Sequence, residues 1–184
     1  MNKLIHHILY PDKILALIII CFFTCIISEN SHASAMTHNN MENMEVHLSL
    51  VAEHYIGIPY KFGGDPEKAG AADNSHLLCD IYDKAAKQAG LKFIGYMPMQ
   101  YLLDNTVQVQ KDELKVGDMV VLYDGHAAMI YKFFNKDDFY LIYASFIKEQ
   151  VISFHSKNAV YEAYWLKNLK GFYRLSQKLF TAQD

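Results

Sequence analysis

The sequence predicts an α+β fold in which helices come first and pack on one face of an antiparallel sheet. Between residues 75 and 88, apolar side chains recur at the spacing of one face of a helix. After residue 118 the pattern changes to short β-branched and aromatic runs separated by Gly, Asp and Asn turns, which is typical of an antiparallel meander. Helices followed by strands are the order expected of an α+β domain.

The composition sets broad limits on size and partners. The chain has 184 residues, of which 52% are hydrophobic, including 13 Tyr and 11 Phe. This length suits one domain and a targeting segment, and the apolar content is enough for a sizeable core. The formal net charge at pH 7 is only −3. We therefore expect no nucleic-acid partner and no strong attraction to an anionic membrane surface, and a neutral or zwitterionic partner fits better.

Residues 1–35 have the pattern of a secretory signal peptide. Lys3 and Lys13 make a weakly basic start, an apolar run follows over 14–27, and Ala33-Ser34-Ala35 has the form of a cleavage site. The apolar run is shorter than the roughly 20 residues that a membrane-spanning helix needs. We therefore expect export, and no stable membrane span after cleavage. An uncleaved N-terminal anchor is the less favoured alternative.

Cleavage after residue 35 leaves a single cysteine, Cys79. One cysteine makes no intramolecular disulfide, so the core alone is expected to stabilise the exported domain.

The expected order of elements follows from the apolar patterns and the turn residues. We expect an exposed lead-in over 36–43, a domain over 44–176 and a C-terminal tail over 177–184. The predicted helices cover 45–56, 75–88, 97–103 and 159–166, and the predicted strands cover 119–123, 127–134, 139–146, 151–154 and 171–175.

Three sequence motifs are candidates for a functional site. The segment Tyr-Lys-Phe-Gly-Gly at 60–64 leads towards Asp-Asn-Ser-His at 73–76, where the central helix begins. The segment Leu-Lys-Val-Gly-Asp-Met-Val covers 114–120, and Gly-His-Ala-Ala-Met-Ile-Tyr covers 125–131. In this order, over residues 46 to 175, the motifs resemble the NlpC/P60 family of cell-wall peptidases. The resemblance implies a papain-like α+β fold.

The resemblance also assigns three catalytic positions. In a papain-type hydrolase a Cys at a helix N-terminus is the nucleophile, a His is the base, and a third polar group orients the His. The matching positions here are Asn74, His126 and Tyr143. An Asn side chain is neither acidic nor nucleophilic near neutral pH, so the nucleophile is missing from its expected place.

The resemblance implies a ligand groove beside these positions. We expect it to be formed by residues of the Gly-Gly loop and the helix start, which are Tyr60, Phe62, Asp73, Ser75 and His76. His76 stands where the family has a Gly, and this adds bulk beside the groove.

The preferred functional hypothesis is an exported, catalytically inactive domain in the bacterial periplasm or outside the cell. It would bind a peptidoglycan stem peptide or a protein partner without cleaving it. The alternative is an active hydrolase of cell-wall peptides, in which His126 acts as base, Ser75 or Cys79 is an unconventional nucleophile, and Tyr143 orients the base. A third hypothesis is a structural or secretion-associated interaction module whose former pocket is filled by His76.

No cofactor or metal is expected. The other histidines after the expected signal peptide, His38, His47, His54 and His155, do not show the close spacing of a zinc motif.

Overall fold

The structure is a computed structural model that describes residues 39–183. The expected signal peptide over 1–35 and its cleavage site lie outside these residues. Within residues 39–183, no helix combines the length and the apolar character needed to cross a membrane.

The described chain begins with helices and ends with strands. The α-helices are α1 over 39–53, α2 over Pro66–Ala69, α3 over Asn74–Gln88 and α4 over Met99–Asp104. The strands are β1 Leu91–Phe93, β2 Thr106–Val109, β3 Met119–Leu122, β4 Ala127–Asn135, β5 Asp138–Ser145, β6 Gln150–His155, β7 Leu169–Leu175 and β8 Phe180–Ala182. Short 3-10 turns cover Lys111–Glu113 and Gln177–Leu179, and a π-helical turn covers Tyr161–Trp165.

Six of the strands form one antiparallel sheet in the order β2-β7-β3-β4-β5-β6. Strands β1 and β8 form a separate two-stranded antiparallel sheet. The meander β3-β4-β5-β6 arises because short turns join consecutive strands that each pair with the next. The predicted α+β fold is confirmed.

Helix α3 is the central helix, as the apolar stripe predicted. Its buried side chains include Leu77, Leu78, Ile81 and Tyr82, which belong to one core cluster with residues of α1 and one face of the large sheet. The side chain of Asp73 caps its N-terminus by accepting a hydrogen bond from the backbone N–H of His76. Burial of this stripe fixes the start of α3 against the sheet.

The large sheet is covered on both faces near its centre. Because side chains alternate along a strand, Val121 of β3 points into the core beneath α3, while Val120 joins a second cluster on the other face. That second cluster is closed by Tyr161 and Trp165 of the π-helical turn and by Phe172 of β7. We expected helices on one face, and the short turn supplies cover for the other.

The ends of the domain differ from the expected boundaries. Helix α1 already includes residue 39, the first that the structure describes, and Met41 and Met44 pack on the core, so the described part of the expected exposed lead-in, residues 39–43, is helical. At the other end, the expected tail contains strand β8. Phe180 of this strand is buried and its ring lies 5.2 Å from that of Phe93 in β1. Strands of three residues carry too little periodicity to be predicted from sequence.

An ion pair between buried Asp118 and partly exposed Arg174 holds the turn before β3. Asp118 is fully buried, and its two carboxylate oxygens accept hydrogen bonds of 2.7 and 2.8 Å from the guanidinium of Arg174 in β7. The hydroxyl of Tyr82 in α3 donates to the backbone carbonyl of Gly117 at 2.5 Å. These bonds tie the turn to α3 and β7, and so they fix β3 and β4 beneath the start of α3.

Candidate functional site

Asn74 is the first residue of α3, and its side chain joins the helix to the sheet. The amide nitrogen donates a 2.5 Å hydrogen bond to the backbone carbonyl of Ala127 in β4. The amide oxygen accepts a 3.2 Å hydrogen bond from the backbone N–H of Ala144 in β5. One partner is an acceptor and the other a donor, so this orientation of the amide is the one that satisfies both.

These two hydrogen bonds give the Asn74 side chain a structural role. Ala127 directly follows His126 at the start of β4, and Ala144 directly follows Tyr143 within β5, so the amide fixes the backbone next to both residues. A Cys thiol has one weak donor and a weakly accepting sulfur, and it would not replace both bonds. Asn74 is thus a clamp between α3, β4 and β5.

Asp73 connects the Gly-Gly loop to the same helix end. Its Oδ1 accepts from the His76 backbone N–H at 2.8 Å and from the Ser75 hydroxyl at 2.9 Å, and its Oδ2 accepts from the Gly63 N–H at 3.0 Å. Burial alone would raise the pKa of Asp73, but these hydrogen bonds to the carboxylate outweigh it and the pKa is lowered. Asp73 is therefore ionised at neutral pH and stabilises the loop beside the groove.

His126 is oriented by a carboxylate that the sequence analysis missed. Its Nδ1 lies 2.9 Å from Oδ1 of Asp124, and its backbone N–H donates to the same oxygen at 3.0 Å. The Asp124 Oδ2 accepts a 3.2 Å hydrogen bond from the Tyr164 hydroxyl. Burial would raise the pKa of Asp124, but hydrogen bonds from the backbone and ring of His126 lower it overall.

The Asp124 contact fixes the tautomer of His126. An ionised carboxylate at Nδ1 favours a proton on that nitrogen and leaves Nε2 as the acceptor. The available signal in the sequence was the spacing Asp-Gly-His, because an Asp side chain commonly bonds the backbone N–H two residues later. His126 is half-exposed, with 50% of its side-chain surface accessible, so a ligand can reach the ring.

Tyr143 lies near His126 but makes a different kind of contact. The two rings meet edge to face with centroids 6.1 Å apart, and the other contact of Tyr143 is with the Trp165 ring at 5.4 Å. Burial raises the pKa of Tyr143 to about 12, so the phenol is neutral. The orienting role assigned to Tyr143 stays a prediction, while the polar contact at His126 Nδ1 is made by Asp124.

An open groove of about 230 Å³ contains most of the predicted site residues. It is lined by Tyr60, Phe62, Asp73, Asn74, Ser75, Met99, Asp124, Gly125 and His126. A larger groove of about 370 Å³ runs between α1 and α3, lined in part by Leu50, Tyr55 and Ile58. We place the candidate site in the smaller groove because it brings Asn74 and His126 together.

His76 lies beside this groove rather than in it. Its ring stacks on Tyr96 with centroids 3.9 Å apart, and its Nδ1 lies 3.0 Å from Oδ1 of Asp73. The side chain is thus held against the helix cap, and it is not among the residues that line the groove.

The two alternative nucleophiles have other partners. Ser75 is buried, and its hydroxyl donates to Asp73 and lies 3.5 Å from the Tyr96 hydroxyl. Cys79 is buried against the backbone of Met97, and burial raises the pKa of its thiol to about 11. A thiol with a raised pKa holds its proton at neutral pH and is a poor nucleophile.

Within residues 39–183, no group of three or more His, Cys, Asp or Glu side chains is placed to hold a metal ion.

Comparison with solved structures finds this fold in NlpC/P60 proteins. A protein described as similar to lipoprotein, of the NLP/P60 family, from Staphylococcus aureus is 23% identical over 72% of this chain and 41% of its own, with a TM-score of 0.51. An NlpC/P60 family protein from Bacillus cereus is 18% identical over 71% of this chain and 39% of its own, with a TM-score of 0.50. The predicted NlpC/P60-like fold is confirmed.

The similarity covers only part of each of the two solved proteins. This chain spans about two fifths of the length of each of these two proteins. No protein-family profile matches the sequence. No curated protein matches it either.

Proposed function

We propose that this chain is an exported NlpC/P60-like domain that binds a peptidoglycan stem peptide without cleaving it. The observation that carries the proposal is the double hydrogen bond of Asn74 to Ala127 and Ala144, at the position where the resemblance requires a nucleophile. The side-chain amide of Asn74 is not nucleophilic near neutral pH. The same side chain is also committed to holding the sheet.

The side chains around Asn74 are consistent with the absence of catalytic activity. The Cys79 thiol is buried with a pKa raised to about 11, and the Ser75 hydroxyl is directed to the Asp73 carboxylate. A serine nucleophile needs a base such as His to take its hydroxyl proton. The Ser75 hydroxyl donates to Asp73 instead, so Ser75 is not paired with His126.

The groove retains features that suit binding. Phe62 lies at the edge of the groove and is 87% exposed, and Tyr60 also lines the groove. Both rings are therefore available to an apolar part of a ligand. Half-exposed His126 offers Nε2 to a ligand N–H, since its Nδ1 is taken by Asp124. A concave site with aromatic walls and a few convergent polar groups is the usual form of a small-ligand site.

A protein partner is the alternative ligand within the same proposal. Phe146 and Ile147, on the turn between β5 and β6, are 72% and 87% exposed, and the Phe146 ring lies 5.7 Å from that of Tyr60. Together with Phe62 they extend the apolar surface beyond the groove, and exposed apolar patches of this kind often contact proteins.

The second candidate function is hydrolysis of a cell-wall peptide. The observation that favours it is the His126–Asp124 pair, which has the geometry of a base held by a carboxylate. It would require Ser75 or Cys79 to leave its present partners and reach His126.

Purified muropeptides distinguish these functions. Binding is measured by calorimetry, and cleavage by the appearance of new amine termini. The proposal expects saturable binding with no new amines, and Phe62→Ala weakens that binding. Turnover that disappears in His126→Ala supports the hydrolase, and the absence of binding favours a protein partner.

A further inference from the structure

A second groove lies on the other side of the turn that carries His126. It has a volume of about 230 Å³, and Asp104, Tyr123 and Lys170 are among its lining residues. Asp124 and Gly125 line both this groove and the candidate site. The two grooves therefore meet at the turn between β3 and β4, and we name the new one the second groove.

The meeting point leaves room for a ligand to cross. Gly125 has a positive φ of 85°, and a Cβ placed on it would meet no atom within 4 Å. The turn is thus a low ridge without a side chain at this residue. A ligand bound beside His126 can continue over Gly125 into the second groove.

The second groove carries two opposite charges that are not paired with each other. Lys170 of β7 is exposed, and its Nζ lies 5.9 Å from the centroid of the Tyr173 ring. Asp104, the last residue of α4, accepts a 2.8 Å hydrogen bond from the side-chain amide of Gln100. Among residues 39–183, no carboxylate lies within ion-pair distance of Lys170, and no cationic side chain lies within that distance of Asp104.

The second groove also has apolar and aromatic lining residues. Leu103 and Tyr173 line the same groove. An ammonium group is matched by a carboxylate, a carboxylate by an ammonium, and an aliphatic chain by Leu and Tyr surfaces. Either charge alone would suit an ordinary ion, but the pair of them in one concavity is complementary to a ligand that bears both.

The geometry points to the second groove as a binding site for the zwitterionic end of an amino acid, with its ammonium on Asp104 and its carboxylate on Lys170. The inference rests on the proposed function, because it makes the second groove the continuation of the peptide groove beside Asn74 and His126. The ligand class is then a peptide with a free α-amino-carboxylate group at one end.

Three small probes with the same length of carbon chain test the inference. Norleucine carries both charges, hexylamine carries the ammonium alone, and hexanoate carries the carboxylate alone. Each is titrated into the full-length protein labelled with nitrogen-15, and backbone amide shifts are followed by NMR. Norleucine is expected to shift the amides of Asp104 and Lys170 with an affinity at least about threefold higher than either singly charged probe.

Two neutral variants and one control locate the site. Lys170→Gln and Asp104→Asn are each expected to weaken norleucine binding by about three- to tenfold, the range for a hydrogen bond to a charged group that is partly exposed. Lys92→Gln removes an exposed lysine from β1 and is expected to leave binding unchanged. Equal affinity for all three probes, or norleucine binding that is unchanged in both neutral variants, overturns the inference.

The experiment also separates this inference from the proposed function. Phe62→Ala alters the candidate groove, so it is expected to weaken muropeptide binding and to leave the norleucine titration unchanged. Norleucine binding without any muropeptide binding overturns the proposed function alone. Muropeptide binding without a norleucine shift at Asp104 and Lys170 overturns the second groove alone.

Discussion

The side-chain amide of Asn74 donates a 2.5 Å hydrogen bond to the backbone carbonyl of Ala127, the residue that directly follows His126. Its oxygen accepts from the Ala144 N–H in the neighbouring strand. The first turn of α3 is thus held against β4, which begins directly after His126, and against β5, which contains Tyr143. The Asn74 side chain, which lines the candidate groove, thus also keeps the groove in shape.

Removing this amide is expected to destabilise the fold. Asn74→Ala deletes two half-buried hydrogen bonds to the sheet and should lower the free energy of unfolding by about 1–3 kcal/mol. Denaturant titration measures the change. Asn43→Ala is the control, since Asn43 is an exposed residue of α1, and it should change stability little. Equal effects of the two substitutions would show that the Asn74 bonds contribute nothing.

Removing only one residue of the Asp118–Arg174 ion pair is expected to destabilise the fold. Asp118→Ala removes both hydrogen bonds to the partly exposed Arg174 guanidinium and should lower the free energy of unfolding by about 1.5–3 kcal/mol. Replacing both residues, as Asp118→Leu with Arg174→Leu, should cost less than the single change because no uncompensated charge is left. Urea unfolding of the three proteins tests this. A double variant less stable than Asp118→Ala contradicts the account.

The Cys79 thiol is expected to resist alkylation. With its pKa raised to about 11 by burial, only about one thiol in 10,000 is ionised at pH 7. Iodoacetamide should therefore label the folded protein slowly and the protein in denaturant quickly, as followed by mass spectrometry. Rapid labelling of the folded protein at pH 6 would instead show a thiolate that can act as a nucleophile.

Acid is expected to weaken the cap at the start of α3. Hydrogen bonds lower the pKa of Asp73 in the folded protein below its ordinary value of 3.8. The stabilisation from the ionised carboxylate is therefore complete above that value and is lost as the pH falls through the lowered pKa. The difference in unfolding free energy between wild type and Asp73→Asn should shrink as the pH falls below about 4. A difference that stays constant down to pH 2 contradicts this.

Most of the fold could be predicted from local patterns. The apolar stripe on α3 identified its buried side chains Leu77, Leu78, Ile81 and Tyr82, and the β-branched runs identified β3 to β6. The elements that were missed are short or depend on distant partners. Strand β8 exists because Phe180 packs on Phe93 of β1, and no local pattern indicates that pairing.

The candidate site was predictable in its parts but not in its contacts. The sequence order placed Asn74 and His126 at one site, and both line one groove. The role of Asn74 as a clamp required the positions of Ala127 and Ala144, which are set by how the sheet packs on α3. The motifs did not indicate Asp124, because the resemblance places the orienting group on the next strand, whereas Asp124 lies two residues before His126.

The central claim is that the groove binds a cell-wall peptide and lacks only the nucleophile. The most direct measurement compares wild type, Asn74→Cys and Asn74→Ser for the release of new amine termini from purified muropeptides. In Asn74→Cys the thiol lies at a helix N-terminus, on the strand-facing side where the amide met Ala127, close to the His126–Asp124 pair.

Wild type and Asn74→Ser are expected to bind muropeptides without cleaving them, and Asn74→Cys is expected to cleave slowly in a reaction that His126→Ala abolishes. Turnover by the wild-type protein that is lost in His126→Ala would contradict the central claim.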